Sequence, residues 1–146
     1  YGDERVPYTY SGITAYGLPW TESLQAIKER VEQLAATHFN SALANLYRDG
    51  ADSVSWHADD ESELGPAPVI ASVSLGQERT FQLKHKFDKT LKTNVLLPHG
   101  SVLVMRGATQ QHWLHQIAKS RRAMSPRINL TFRLVDKRVA EALVKR

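Results

Sequence analysis

Between residues 41 and 135 the sequence breaks into eight short runs of strand-forming residues, each closed off by a turn former. The runs are SALANLY, VSWHAD, PVIASVSLG, RTFQLKH, NVLLP, SVLVM, HWLHQI and RINLTFRLV, with Gly50, Gly65, Pro66, Gly76, Pro98, Gly100 and Gly107 as punctuation. No helical pattern separates them, so they cannot be joined by the crossovers of a βαβ sheet. A sandwich or barrel is the architecture left open. Ahead of them, TESLQAIKERVEQLA repeats Leu24, Ile27, Val31 and Leu34 at helical spacing behind Thr21, a favourable N-cap residue. That pattern predicts a helix packed over a sheet. The polar tail DKRVAEALVKR predicts a second, shorter helix, and residues 1–20 hold four of the five tyrosines among turn formers. With no internal repeat and 146 residues, one domain spanning 1–146 is expected, mainly β in an α+β arrangement.

Composition narrows the chemistry. The absence of cysteine excludes disulfides, thiolate metal sites and a cysteine nucleophile. The apolar runs are too short to span a bilayer and no secretory leader is visible, so an intracellular protein is expected, cytoplasmic in a bacterium or nuclear in a eukaryote. A net charge of +4 and a pI near 9.5 suit a polyanionic partner without requiring one. The chain opens on Tyr1 rather than methionine, so further residues upstream are expected.

RINLTFRL poses the sharpest question. As a strand it presents Ile128, Leu130, Phe132 and Leu134 on one face and Arg127, Asn129, Thr131 and Arg133 on the other. A polar face with a guanidinium at each end is either a wet sheet edge or a grip on an anion. WHADDE places His57 and Asp59 two apart, on the same face if the strand continues through both. HWLHQ offers His112 and His115, on opposite faces of a regular strand. Two imidazoles and a carboxylate are the donor set of non-haem Fe(II) oxygenases, which keep coordination positions open for cosubstrate and O₂. Arginine suits the distal carboxylate of a dicarboxylate such as 2-oxoglutarate. Asn45 and Tyr47 share a strand face upstream and add hydrogen-bond donors. His38, His85 and His99 have no carboxylate at useful spacing and are read as ordinary histidines.

Taken together, NLYRDGADSVSWHADDE, PVIASVSLG, RTF, LPHGSVLVM, HWLHQ and PRINLTFR resemble the AlkB family of Fe(II)/2-oxoglutarate-dependent dioxygenases. The resemblance runs from YTYSGIT to NLTFR. It implies a double-stranded β-helix, a jelly roll with covering helices, and oxidative removal of alkyl groups from nucleobases. By matching motif, His57, Asp59 and His115 are expected to bind Fe(II). Asn45, Tyr47, Arg127, Asn129, Thr131 and Arg133 are expected around 2-oxoglutarate, with Arg127 at the distal carboxylate and Arg133 nearer the metal.

The resemblance also bears on the substrate. PYTYSG matches the segment lining the family's base pocket, which makes residues 1–20 part of the nucleotide-recognition region. Tyr10 is expected as a stacking platform with Tyr8 and Thr9 beside it, and His57 closes the opposite side. Glu61, or Asp60 beside it, is expected to accept from the exocyclic amine of N1-methyladenine or N3-methylcytosine, in single-stranded substrate or on a flipped base. Two basic stretches, Lys84, His85, Lys86, Lys89 and Lys92, then Arg121 and Arg122, offer phosphate contacts to DNA or RNA. A monomer without obligate protein partner is expected. Two rival readings remain at this stage: an oxygenase acting on a protein or small molecule, and a nucleic-acid-binding module with a silent metal site.

Overall fold

The computed structural model describes residues 1–3, 6–10 and 13–144; the side chains of residues 8–10 and 13–15 lie outside what it describes. A short hairpin comes first, β1 (Pro7–Tyr10) against β2 (Ile13–Tyr16), within a region where the sequence pattern showed only turns and aromatics. Helix α1 (Glu22–Ala35) follows, then β3 (Ser41–Tyr47), β4 (Val54–His57), β5 (Ile70–Gly76), β6 (Arg79–His85), β7 (Lys92–Leu97) and β8 (Val102–Met105). The one-turn helix α2 (Thr109–His112), β9 (Trp113–Ile117), β10 (Arg127–Arg133) and the tail helix α3 (Lys137–Val144) complete the order.

Two four-stranded antiparallel sheets result, in the orders β3-β10-β5-β8 and β4-β9-β6-β7. The chain changes sheet at every connection from β3 to β10 except the β6–β7 hairpin. That is the winding of a double-stranded β-helix, as the resemblance implied, and falls within the sandwich-or-barrel class left open by the strand pattern. At the end of β5, Gly76 adopts φ +91°, and a side-chain carbon there would lie 2.4 Å from the Pro126 carbonyl oxygen, so only glycine fits this turn.

Helix α1 starts where Thr21 Oγ1 accepts from the Leu24 N–H at 3.2 Å, and it ends on Ala36 in the left-handed region at φ 50°. Its buried residues are Leu24, Val31 and Ala35, whereas Leu34 is 52% exposed. At about 100° per residue, Ala35 lies roughly 20° from the stripe's centre and Leu34 roughly 80° away, so the smaller side chain takes the sheet-facing position. The stripe packs with Phe39, Ala42, Ala71, Val73, Leu130 and Phe132 on the outer face of the first sheet. A second apolar cluster lies between the sheets, where Tyr47, Ile70 and Met105 meet Phe81, Leu97 and Ile117.

Strand β10 therefore has two buried faces. Leu130 and Phe132 pack under α1, but Ile128 (42% exposed) and Leu134 (51%), which follows the strand, do not. The apolar face expected from the sequence is covered at its middle and open at both ends. The polar face turns inward: Arg127, Asn129, Thr131 and Arg133 are all buried. Phe132 is fully buried, stacked 6.3 Å from Trp20 and tilted against Phe39 at 6.0 Å. Phe132→Ala should cost about 3–5 kcal/mol of unfolding free energy in a urea titration. Its side chain faces away from the polar interior, so the variant should bind the same ligands as the parent.

Candidate active site

The second sheet brings the two histidines together. His57 on β4 is the register partner of His115 on β9, with the ring centroids 4.2 Å apart. Strand β4 ends at His57, so Asp59 is not on a strand as the spacing suggested; it sits in the following loop. What holds it there is Gln110, whose Oε1 accepts from the Asp59 N–H at 2.9 Å. Asp59 Oδ1 lies 3.5 Å from His57 Nε2 and 3.9 Å from His115 Nε2, and the three ligand atoms fall within 4.8 Å of one another.

Each donor is prepared by its neighbours. The Ser55 carbonyl, 2.8 Å from His57 Nδ1, accepts from that nitrogen when it carries the proton, which leaves Nε2 as the lone-pair ligand. His115 stacks on Phe81 with centroids 5.0 Å apart, and burial, reinforced by His57 against the pull of Asp59, lowers its pKa to about 4. The ring is thus neutral near pH 7, the form a metal requires. Burial favours the protonated form of Asp59, but Arg133 and His115 outweigh it and hold the carboxyl below its ordinary range. Arg133 donates from Nε (3.1 Å) and Nη2 (2.7 Å) to Asp59 Oδ2. The other oxygen, Oδ1, is buried without a hydrogen-bond partner among the described residues and lies beside both imidazoles. A buried carboxylate oxygen with two imidazole nitrogens beside it suits a divalent transition metal such as Fe(II).

A polar trough leads away from this triplet, lined by Asn45, Tyr47, Ser72, Asn129, Thr131 and Arg133, with Leu43, Val54, Met105 and Ile117 as apolar wall. Beyond it lies Arg127, 2% exposed. Its guanidinium sits 5.0 Å from the Tyr47 ring centre and donates from Nη2 to Ser74 Oγ at 2.9 Å. Its Nε and Nη1 hydrogens have no acceptor among the described residues. Burial lowers the Arg127 pKa, with Tyr47 acting the other way. Each unmet donor of a buried charge costs at least about 1–3 kcal/mol, a deficit that a bound carboxylate would remove.

The remaining expected residues divide. Both amide hydrogens of Asn129 are taken, by Ser72 Oγ at 2.7 Å and the Val73 carbonyl at 3.0 Å, while its Oδ1 accepts from the Thr131 hydroxyl. These two side chains brace the trough wall. Asp60 is largely exposed and paired with Lys86 at 3.1 Å, whereas Glu61 is half-buried with Oε2 unpartnered among the described residues. Burial raises the Glu61 pKa. The Tyr8, Thr9 and Tyr10 side chains lie outside the described residues. His112 ends α2 rather than opening a strand. His38 does have an acid neighbour, Glu32 at 3.8 Å, placed by the turn after α1 rather than by strand spacing. His85 and His99 accept backbone N–H groups.

Gln110 escaped the sequence reading. It is 1% exposed, with its amide nitrogen 3.4 Å from Met105 Sδ, and nothing in ATQQHW marks it. Ser72 and Ser74 were legible in principle, because ASVSLG alternates serine with apolar residues and the serines face the polar side of β10. Gln110→Ala should weaken Co(II) affinity about tenfold, as loss of a group that orients a ligand does, with Gln110→Asn intermediate. A visible-absorption titration of Co(II) into the metal-free protein measures it.

A jelly roll whose sheets bring two histidines and a carboxylate to one end of a polar trough is the framework of a mononuclear non-haem metal oxygenase. The family model described as the 2OG-Fe(II) oxygenase superfamily matches residues 2–133. The chain belongs to that superfamily, on its AlkB branch. It is 46% identical over 144 residues to alpha-ketoglutarate-dependent dioxygenase alkB homolog 3 of Homo sapiens, covering 92% of this chain and 50% of that one. It is 40% identical over 142 residues to DNA oxidative demethylase ALKBH2 of Homo sapiens, covering 92% and 54%. The chain spans about half the length of the curated relatives it matches. The solved structure of OsALKBH1 superposes with TM-score 0.54 at 22% identity over 77% of this chain and 60% of that one, a likeness of fold. No helix among the described residues is long and apolar enough to cross a membrane.

Proposed function

We propose that residues 1–146 form one Fe(II)/2-oxoglutarate-dependent dioxygenase domain that removes methyl groups from N1-methyladenine and N3-methylcytosine in DNA or RNA. The observation that carries the reading is the coexistence of two deficits: a buried metal-ligand oxygen, Asp59 Oδ1, in the trough, and a buried guanidinium, Arg127, packed on the trough-lining Tyr47 with its Nε and Nη1 unmet among the described residues. In this reading His57, Asp59 and His115 hold Fe(II), which supplies activation of O₂ at the expense of 2-oxoglutarate. Arg127 takes the distal carboxylate of the cosubstrate, with Tyr47 and Asn45 beside it. Arg133 fixes the Asp59 carboxylate so that Oδ1 stays aimed at the imidazoles. Leu43, Val54, Met105 and Ile117 keep bulk water from the trough, protecting the oxidant from wasteful reduction.

The overall reaction balances. One oxygen atom enters succinate as CO₂ is lost, and the other hydroxylates the methyl carbon. The resulting N-hydroxymethyl group expels formaldehyde and restores the base. His57 is the ligand nearest solvent, its side chain 27% exposed against 5% for His115, so the methyl group is expected to approach from its side. Glu61, whose Oε2 lacks a partner among the described residues, accepts from an exocyclic amine in this reading, and residues 1–20 join in recognising the nucleotide. The domain acts as a monomer inside the cell, on single-stranded substrate or a flipped base.

The test is incubation of short single-stranded oligonucleotides carrying either lesion with Fe(II), 2-oxoglutarate, ascorbate and O₂. Mass spectrometry follows the base, and succinate is counted in parallel. One succinate per methyl group lost is expected. Succinate without demethylation would keep the oxygenase and exclude this substrate; neither product, with metal bound, would exclude both.

A further inference from the structure

The β6–β7 hairpin holds one aromatic ring out in solvent. Phe87 is 77% exposed, and single exposed apolar residues are ordinary. What sets this one apart is how firmly it is presented. His85 Nδ1 accepts from the N–H of Phe87 at 3.3 Å and of Asp88 at 3.0 Å. The Lys86 N–H donates to the His112 carbonyl at 2.7 Å, and Asp88 Oδ1 takes both the N–H and the hydroxyl of Thr90. The ring itself meets His85 and His112 edge-on, at centroid distances of 5.8 and 6.3 Å, which leaves its faces unstacked by these neighbours.

The hairpin is also tied to the candidate site. Lys86 Nζ donates to Asp60 Oδ2 at 3.1 Å and to the Gln110 carbonyl at 2.8 Å, bridging the neighbour of Asp59 in sequence and the residue that holds its backbone. The turn that carries the ring is lysine-rich, although Lys84 lies over the Trp56 ring and Lys86 is paired with Asp60. Lys84, Lys86, Lys89 and Lys92 stand against one acid, Asp88, between residues 84 and 92, and Lys89 and Lys92 are exposed.

We propose that Phe87 is a stacking subsite for an unpaired nucleobase adjacent in the strand to the base held at the metal, with Lys89 and Lys92 alongside the flanking phosphates. The inference rests on the nucleic-acid reading of the trough. A flat, fixed ring among cations matches a base on a polyanionic strand, since stacking uses the π-face every base has and the lysines meet the backbone.

The test uses fluorescence anisotropy with a labelled, unmethylated single-stranded oligonucleotide, alongside demethylation of its methylated counterpart. Phe87→Ala should weaken binding roughly tenfold and raise KM to match, with kcat unchanged. Phe87→Tyr should bind as the parent does, and Phe87→Leu as the alanine variant does. Replacing the neighbouring bases by abasic sites should erase the difference between parent and alanine variant, and turnover of a methylated mononucleotide should be the same in both. Parental binding by Phe87→Ala overturns the proposal. So does recovery by Phe87→Leu, which would mark an apolar contact of the kind a protein partner makes, or a defect that persists on the abasic strand. Should the parent demethylate nothing, the functional reading fails alone, because anisotropy on the unmethylated strand still decides the subsite.

Discussion

Replacing Asp59 by asparagine should abolish turnover, by at least about a thousandfold, and weaken Co(II) binding by at least about a hundredfold. The carboxylate is the one negative donor of the three, and Oδ1 faces both imidazole nitrogens while Oδ2 is spent on Arg133. An amide in its place removes the charge that offsets a divalent cation but leaves an oxygen for Arg133 to bond. Asparagine is a better probe than alanine for that reason. Asp59→Ala would break a buried charge pair with Arg133 and cost about 3–5 kcal/mol, mixing lost metal with lost fold. Circular dichroism of the asparagine variant should match the parent. Parental Co(II) affinity in Asp59→Asn would remove Asp59 from the ligand set.

The same residues show how far the sequence could be read. The eight strands were legible because turn formers bracket them and β-branched residues fill them, and the polar face of β10 was legible because alternation has a period of two. Which way that face pointed was not, because the pattern is the same for a wet edge and for a lined interior; the register of β10 between β3 and β5 decides it. The histidines carried a clearer signal than the residues that aim them. His57 and Asp59 stand out two apart, but the strand stops between them, and the loop conformation that returns Asp59 to the imidazoles depends on Gln110, distant in sequence and ordinary in type. Side chains that act by orienting others leave little trace in spacing, since their partners are set by three-dimensional register. Phe87 is a third case: on the strand pattern it is one apolar residue in a lysine-rich turn, and only the bonds of His85 and Asp88 show it to be fixed.

Arg127 supplies the second large effect, and it separates function from stability. Arg127→Met should raise KM for 2-oxoglutarate at least about a hundredfold, since truncating one partner of a buried charge pair costs about 2–5 kcal/mol. Without ligand the expectation reverses. The parent buries a guanidinium whose Nε and Nη1 lack acceptors among the described residues, and methionine fills similar space with no charge to desolvate. The metal-free variant should therefore melt at or above the parental Tm. Added 2-oxoglutarate with Co(II) should raise the parental Tm as mass action requires, while the variant should show only the part that Co(II) alone produces. Thermal scans with and without each ligand distinguish the cases. A lower variant Tm with an unchanged KM would make Arg127 a structural cation braced by Ser74 and Tyr47, and the cosubstrate's distal carboxylate would have to be bound elsewhere. A Tm held or raised while 2-oxoglutarate loses its effect would mean that the domain tolerates an unpaired buried charge in order to bind that carboxylate.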